Sequence, residues 1–232
     1  MTGLEDNLRA VRARIDEAAR AAGRDPASVA LLAVSKTQGP GAVREAVAAG
    51  QRAFGENYVQ EALDKMDALL DLRPALEWHL VGPLQSNKTR AVAEAFDWVH
   101  SVDRLKLAQR LSEQRRPELP PLQVCLQVNI SGEASKSGVS PDETLALARA
   151  VAALPRLRLR GLMAIPEPAA DPDAQRRPHR ALRQLLDRLN AEGLALDTLS
   201  MGMTADLEAA VLEGATLVRV GTAIFGTRAP KA

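Results

Sequence analysis

Apolar side chains recur at three- and four-residue steps near the start of the chain: Leu4, Leu8, Val11, Ile15, Ala18 and Ala22. That period puts them on one stripe of a helix and predicts an amphipathic helix over 4–22, stopped by Gly23. The pattern then changes to short apolar runs, each bounded by polar or turn-forming residues. They lie at 29–35, 52–56, 77–82, 97–102, 122–130, 157–165, 196–202 and 216–221. Short runs of this kind are strand candidates. Between them stand helical patterns with ordinary start signals. Ser86 is placed to cap a helix carrying Thr89 to Phe96, and Ser140-Pro141-Asp142-Glu143 supplies a proline and acids to a first turn. Thr204, followed by Asp206 and Glu208, fits the start of a helix ending near Gly214.

Strand and helix alternating at roughly 25 to 30 residues per pair predict a single (β/α)8 TIM-type barrel with an additional N-terminal helix, one domain over 1–232. An open doubly wound sheet is the alternative; against it, the first strand-to-helix turn, SKTQGPG, lacks the G-x-G-x-x-G fingerprint. The proline-rich stretch around Pro166, Pro168 and Pro172 is too short to be a linker. With 232 residues, 46% hydrophobic, the chain can bury a sizeable core. Thirty Lys and Arg against 29 Asp and Glu leave a formal charge of +1, which gives no electrostatic reason to expect a nucleic acid or an anionic membrane as partner. A single cysteine, Cys125, rules out an intrachain disulfide and suits a reducing compartment. No apolar run approaches spanning length and the first twenty residues are too charged for a signal peptide, so a cytoplasmic protein is expected.

A barrel places its chemistry at the C-terminal ends of its strands. Lys36, Glu56, Asn57, Gly82, Asn129, Met163, Ser200, Met201, Gly202, Arg219 and Gly221 are expected to converge on that rim. Lys36 ends the run LLAVSK; an amine among apolar neighbours is easier to deprotonate and becomes a nucleophile suited to Schiff-base chemistry. A strand-end lysine that only reaches solvent is the competing reading. On the last two strands, LSMGMTADLEAA and LVRVGTAIFG bring small residues to strand ends, where backbone N–H groups can approach a phosphate. Ser200 offers a hydroxyl, Gly202 a close backbone approach, Gly221 and Thr222 an N–H and another hydroxyl; tight turns without a ligand are the alternative. Arg219 shares a face with Gly221. The first and last strands become neighbours when a barrel closes, so the lysine and the phosphate cradle together favour a phosphorylated aldehyde cofactor.

Other candidates carry less. Lys136-Ser137-Gly138 lacks the glycine that a Walker A motif needs before its lysine. His79 reads as a packed histidine, His100 and His179 have no partners at metal-binding spacing, and one cysteine makes a zinc site unexpected. Glu56 and Glu61 read as a helix start and a solvated face. Lys136 and Lys88-Thr89-Arg90 either hold a second phosphate ester near the rim or solvate the surface.

LAVSKTQ, FGENYVQEA, WHLVGPLQSNKTR, LSMGMTADLEAA and VRVGTAIFG together resemble the pyridoxal phosphate homeostasis (YggS/PROSC) family, over a span from about residue 4 onward. The WHLVGPLQSNK block is the most specific; Leu80 and Thr204 are mild departures from the pattern, where Phe or Met and Ser are commoner. The resemblance implies the barrel fold of the N-terminal domain of alanine racemase, with pyridoxal 5'-phosphate (PLP) held by Lys36 as an aldimine. Ser200, Gly221 and Thr222 would hold the phosphate, Arg219 would face the pyridine nitrogen, and Asn57 would line the pocket. A guanidinium there can only donate, which keeps that nitrogen unprotonated and the ring a poor electron sink.

Racemisation by two bases needs a second proton donor opposite the lysine. In alanine racemases a neighbouring subunit's tyrosine supplies it and the chain has an additional β domain, whereas the only tyrosine here, Tyr58, lies beside Asn57 in a loop. The expected function is therefore a carrier or buffer of PLP in vitamin B6 homeostasis, with PLP-dependent apoenzymes as recipients. The rivals are an amino-acid racemase and a cofactor-free Schiff-base aldolase acting on a sugar phosphate. Nothing demands a dimer, and the protein reads as a monomer.

Overall fold

The computed structural model describes residues 3–132 and 137–226. Eight parallel strands close on themselves in chain order. They are β1 (Ala30–Val34), β2 (Ala53–Glu56), β3 (Glu77–Leu80), β4 (Trp98–Val102), β5 (Leu122–Gln127), β6 (Leu157–Met163), β7 (Thr198–Ser200) and β8 (Leu217–Val220). The seam is the β1–β8 pairing, with Ala30 opposite Leu217 and Ala33 opposite Val220. Each expected strand is present. β2 and β4 end where expected; the other six stop one to three residues sooner because the residues that follow leave the ladder to build loops at the strands' C-terminal ends.

The helices are α1 (Leu4–Ala21), α2 (Pro40–Ala48), α3 (Val59–Asp67), α4 (Thr89–Ala95), α5 (Leu105–Gln114), α6 (Thr144–Ala152), α7 (Pro172–Ala191), α8 (Leu207–Leu212) and α9 (Thr222–Phe225). Leu8, Val11, Ile15 and Ala18 are buried along α1, which packs against α2, α8 and α9. Since α9 is a single turn, α1 stands where the eighth long helix of the ring would otherwise be. Arg14 ties it down with a two-pronged pair to Glu208 (2.7 and 2.9 Å) and a bond to the Thr204 carbonyl (3.0 Å).

Two helix starts differ from expectation. Ser86 does not cap α4: residues 86–88 form a 3-10 turn, and Thr89 Oγ1 donates to the Ser86 carbonyl at 2.9 Å. The helix expected from Thr204 begins only at Leu207, because the Asp206 carboxylate accepts from the Met203 N–H (2.7 Å) and holds 203–206 as a turn. Lys88 and Arg90 are exposed, and Lys136 lies outside the described residues.

The principal core fills the layer between strands and helices. Inside the barrel two small apolar groups, Leu32 with Val81 and Leu217, and Trp98 with Cys125 and Met163, leave space that polar side chains occupy. Two pairings are irregular. That of β4 with β5 shifts between Val99 and Val102. The pairing of β5 with β6 shifts between Val124 and Cys125, so that Leu159 and Gly161 face consecutive residues and Arg160 is the extra one. Arg160 is thereby turned onto Asp197 (2.8 Å), Gln123 (3.0 Å) and the face of Trp98 (4.9 Å). Among the described residues no helix is long and apolar enough to cross a membrane.

Candidate functional site

Strand alternation carries Val34 and then Lys36 inward at the C-terminal end of β1, and the chain turns sharply at Thr37, whose φ is +66°. That turn is held from outside. Lys65, on the otherwise apolar face of α3 formed by Val59, Ala62 and Met66, is buried and points under the loop. Its Nζ donates to the Ser35 carbonyl (2.8 Å), to Glu56 Oε1 (2.5 Å) and to Glu61 Oε1 (3.3 Å). Ser35 Oγ also donates to Glu56 Oε1 (2.6 Å), and the Thr37 N–H donates to Glu61 Oε1 (2.5 Å). Both neighbours of Lys36 are therefore clamped by one lysine and two carboxylates. Burial holds the Glu56 carboxyl above the usual carboxylate range, although Lys65 and Ser35 oppose the rise. This corrects the expectation for Glu56 and Glu61: Glu56 is fully buried at the end of β2, and Glu61 is a loop clamp rather than part of a solvated face. The overlooked signal was a charge, Lys65, on the buried face of a helix, which demands a partner.

Lys36 lines a cleft with about 300 Å³ of room at the C-terminal mouth of the barrel, together with Asn57, Thr204, Arg219, Gly221 and Thr222. Two glycines bring its walls together. A Cβ on Gly82 would lie 2.4 Å from the Asn57 carbonyl oxygen, so only glycine lets the loop after β3 pass against Asn57. A Cβ on Gly221 would sit 3.1 Å from the Val34 carbonyl, at the β1–β8 seam. Apolar walls come from Val34, Val81, Ile165 and Phe225, and Ile165 is 42% exposed at the mouth. Tyr58 is 56% exposed and is not among the lining residues.

Arg219 forms part of the floor. Its Nη1 donates to the Ser200 carbonyl (2.5 Å) and to Ser200 Oγ (2.8 Å), and its Nη2 to the Ala164 carbonyl (2.9 Å). Burial pulls its pKa down to about 10, against the pull of Asp206, so it stays cationic at neutral pH. Neither Ser200 nor Gly202 is among the residues that line the cleft. Ser200 is the last residue of β7, fully buried, with its hydroxyl taken by Arg219 and by His100 Nδ1 (2.7 Å). Gly202, at φ +92°, supplies a close approach to α8 instead, where a Cβ would meet that of Ala210 at 2.5 Å. From this loop the cleft is lined instead by Met203, Thr204 and Ala205.

The Thr204 turn rests on Asp206, which accepts from the Met203 N–H and from His179 Nε2 (2.9 Å). Burial works against its ionisation, but these two bonds and Arg219 keep the carboxyl below its ordinary range. His79 is packed as expected, stacked on Trp98 with ring centroids 5.2 Å apart. His100 and His179 do find partners, through side chains on other elements, and no group of three His, Cys, Asp or Glu suited to a metal occurs among the described residues.

What the cleft can receive follows from its charges. Among the described lining residues the cationic side chains are Lys36 and Arg219, Thr37, Thr204 and Thr222 add hydroxyls, and there is no carboxylate. A small anion bearing an electrophilic carbon fits that set: the phosphate-sized end has donors and the reactive carbon has an amine.

Comparison with known proteins agrees with the geometry. Residues 7–229 match the family model described as alanine racemase, N-terminal domain. The chain is 66% identical over 228 residues to the pyridoxal phosphate homeostasis protein of Pseudomonas aeruginosa, covering 98% of this chain and 97% of that one. It is 53% identical over 229 residues to the protein of the same name from Escherichia coli, covering 98% of each. Among solved structures, PipY of Synechococcus elongatus with PLP bound superposes with a TM-score of 0.83 at 40% identity, over 96% of this chain and 100% of that one. An alanine racemase from Clostridium difficile shares the fold at 14% identity and a TM-score of 0.71, with 97% of this chain covering 58% of that one. By sequence and by fold, this chain belongs to the pyridoxal phosphate homeostasis branch of the alanine racemase N-terminal domain family.

Proposed function

We propose that this protein holds PLP through Lys36 and serves as a carrier or buffer of it in vitamin B6 homeostasis. The observation that carries the reading is the cleft itself, whose described lining brings together an amine, a guanidinium and three threonines and includes no carboxylate. When bound, PLP supplies an aldehyde with which an amine condenses reversibly, losing water. This chain's part is to present the amine of Lys36, to donate to the phosphate from Gly221, Thr222 and Thr204, and to face the pyridine nitrogen with Arg219. Asn57 forms a wall. Ser200 and Gly202 act from beneath, by fixing Arg219 and the turn that presents Thr204.

The lining supports a carrier over a racemase. Besides Lys36 it offers no tyrosine, histidine, cysteine or carboxylate among the described residues, and Arg219 cannot give up its proton. This chain's own described lining residues therefore supply no second base. The protein would act as a monomer, and recipients would be PLP-dependent apoenzymes of the same cytoplasmic compartment.

The test is the intact mass after borohydride reduction with added PLP. The wild type should gain one phosphopyridoxyl group and Lys36→Ala should gain none; an equal gain in both, or none in the wild type, would overturn the anchor. Robust turnover of L-alanine or L-serine that depends on Lys36 would displace the carrier reading. Thr204→Val should weaken retention of PLP by about 10- to 100-fold, the worth of one hydrogen bond to a charged group at about 1.5–3 kcal/mol. Equilibrium dialysis would show it, and an unchanged affinity would remove Thr204 from the phosphate cradle.

A further inference from the structure

Barrels of this class usually fill their interior with branched apolar side chains. Here a line of polar groups crosses it from one mouth to the other. His79 Nε2 is 2.7 Å from Glu77 Oε1, His79 Nδ1 is 2.9 Å from His100 Nε2, and His100 Nδ1 is 2.7 Å from Ser200 Oγ, which is in turn 2.8 Å from Arg219 Nη1. His79, His100, Ser200 and Arg219 are buried, whereas the Glu77 side chain is 51% exposed at the start of β3, among Trp98, Arg158 and Arg160 at the mouth opposite the cleft. A buried polar chain is costly unless every member is satisfied, so its proton positions can be worked out one by one.

Arginine only donates, so Ser200 Oγ must accept from Arg219 and turn its own proton elsewhere. A carboxylate only accepts, so His79 must carry its proton on Nε2 toward Glu77. Neutral His79 then has a bare Nδ1 that accepts from His100 Nε2–H, which leaves His100 Nδ1 bare to accept from the Ser200 hydroxyl. The reverse order would place a bare His79 nitrogen against a carboxylate, unless His79 were charged. With neutral rings only one direction is allowed, and it runs from Arg219 to Glu77.

We propose that Glu77, His79 and His100 are positioning residues for Arg219, acting through this one-way chain, which pins His100 as its neutral Nε2–H tautomer and aims the guanidinium at the cleft. The inference rests on the proposed role of Arg219 toward bound PLP, but the chain itself belongs to the protein without cofactor. The charged and titratable surroundings agree. Burial, then His79 and Arg219, drive His100 well below the ordinary histidine range. The bond from His79 holds the Glu77 carboxyl below its usual range against burial, helped by Trp98 and by Arg160, itself paired with Asp197. Burial raises the Cys125 thiol beside Arg219 and Arg160 to about 12, so it adds no charge, and Asp206 balances Arg219 from the far side.

Nitrogen-15 NMR of histidine-labelled protein without cofactor tests the chain. At neutral pH His100 should show one protonated nitrogen, Nε2, and a bare Nδ1. Glu77→Leu, at a half-exposed position, should give a mixture of His100 tautomers, while Glu77→Gln, which keeps an acceptor oxygen for His79, should retain the single form. In the loaded protein Glu77→Leu should also shift the absorption maximum of bound PLP, and Glu77→Gln should not. A proton on His100 Nδ1 in the wild type, or a Glu77→Leu variant that folds with tautomer and spectrum unchanged, overturns the proposal. Failure of PLP to bind anywhere would sink the functional reading while leaving the tautomer result to decide the chain.

Discussion

A Lys65→Met variant is expected to lose about 3–5 kcal/mol of stability, because it strips the counter-charge from a carboxylate sealed inside the protein. Glu56 has 0% exposure, and its Oε2 has no hydrogen-bond partner, so Lys65 and Ser35 are what make its charge bearable. The loss should depend on pH in a fixed sense. Burial already raises the carboxyl's pKa in the folded state, and removing the lysine raises it further. A group with a raised folded pKa contributes stability that is full below its unfolded pKa and is lost as pH rises through the folded value. The deficit relative to wild type should accordingly be smaller at pH 5 than at pH 8 in urea unfolding. Lys65→Met combined with Glu56→Gln should recover much of it. A deficit equal at both pH values would mean that Glu56 keeps its charge without Lys65. Because the same lysine holds the Ser35 carbonyl, the single variant should also fix less PLP on Lys36 under borohydride.

Gly161→Ala should cost about 3 kcal/mol, at the upper end of ordinary overpacking penalties, despite adding a single methyl group. A Cβ there would fall 1.8 Å from the Thr198 carbonyl oxygen. The obstacle is the backbone of a paired strand, which can retreat only by breaking the β6–β7 ladder. The position follows directly after the bulged Arg160, so the strain would spread to the Arg160–Asp197 pair. Thermal unfolding would show it; a melting temperature within a degree or two of wild type would mean that β6 has slack at its bulge.

The strand order was legible because strands buried on both faces have little choice but to be apolar, and eight such runs in sequence admit few topologies. Lys36 stood out for a related reason, as a charge at the very end of such a run. Ser200 and Thr204 could not be told apart in the same way. Both are small hydroxyl residues in one loop-bound motif, and only the register that ends β7 at Ser200 shows that its side chain turns into the barrel while Thr204 reaches the mouth. Likewise His79 and His100 look solitary along the chain, since each finds its partners on another strand. Lys65 was readable in principle from its place between Ala62 and Met66, but its partners Glu56 and Ser35 come from strand ends that only the closed barrel brings beneath it.

The position of α1 also bears on the order of events during synthesis. Its apolar stripe of Leu8, Val11 and Ile15 leaves the ribosome long before α8 and α9, its main packing partners, exist, and only α2 follows early. The part of it that packs on α8 and α9 must stay uncovered, or be held by something else, until β8 arrives and pairs with β1. Closure of the sheet and burial of α1 thus become one late, long-range event. For most of its time on the ribosome, the nascent chain shows a greasy helix to whatever chaperones are near.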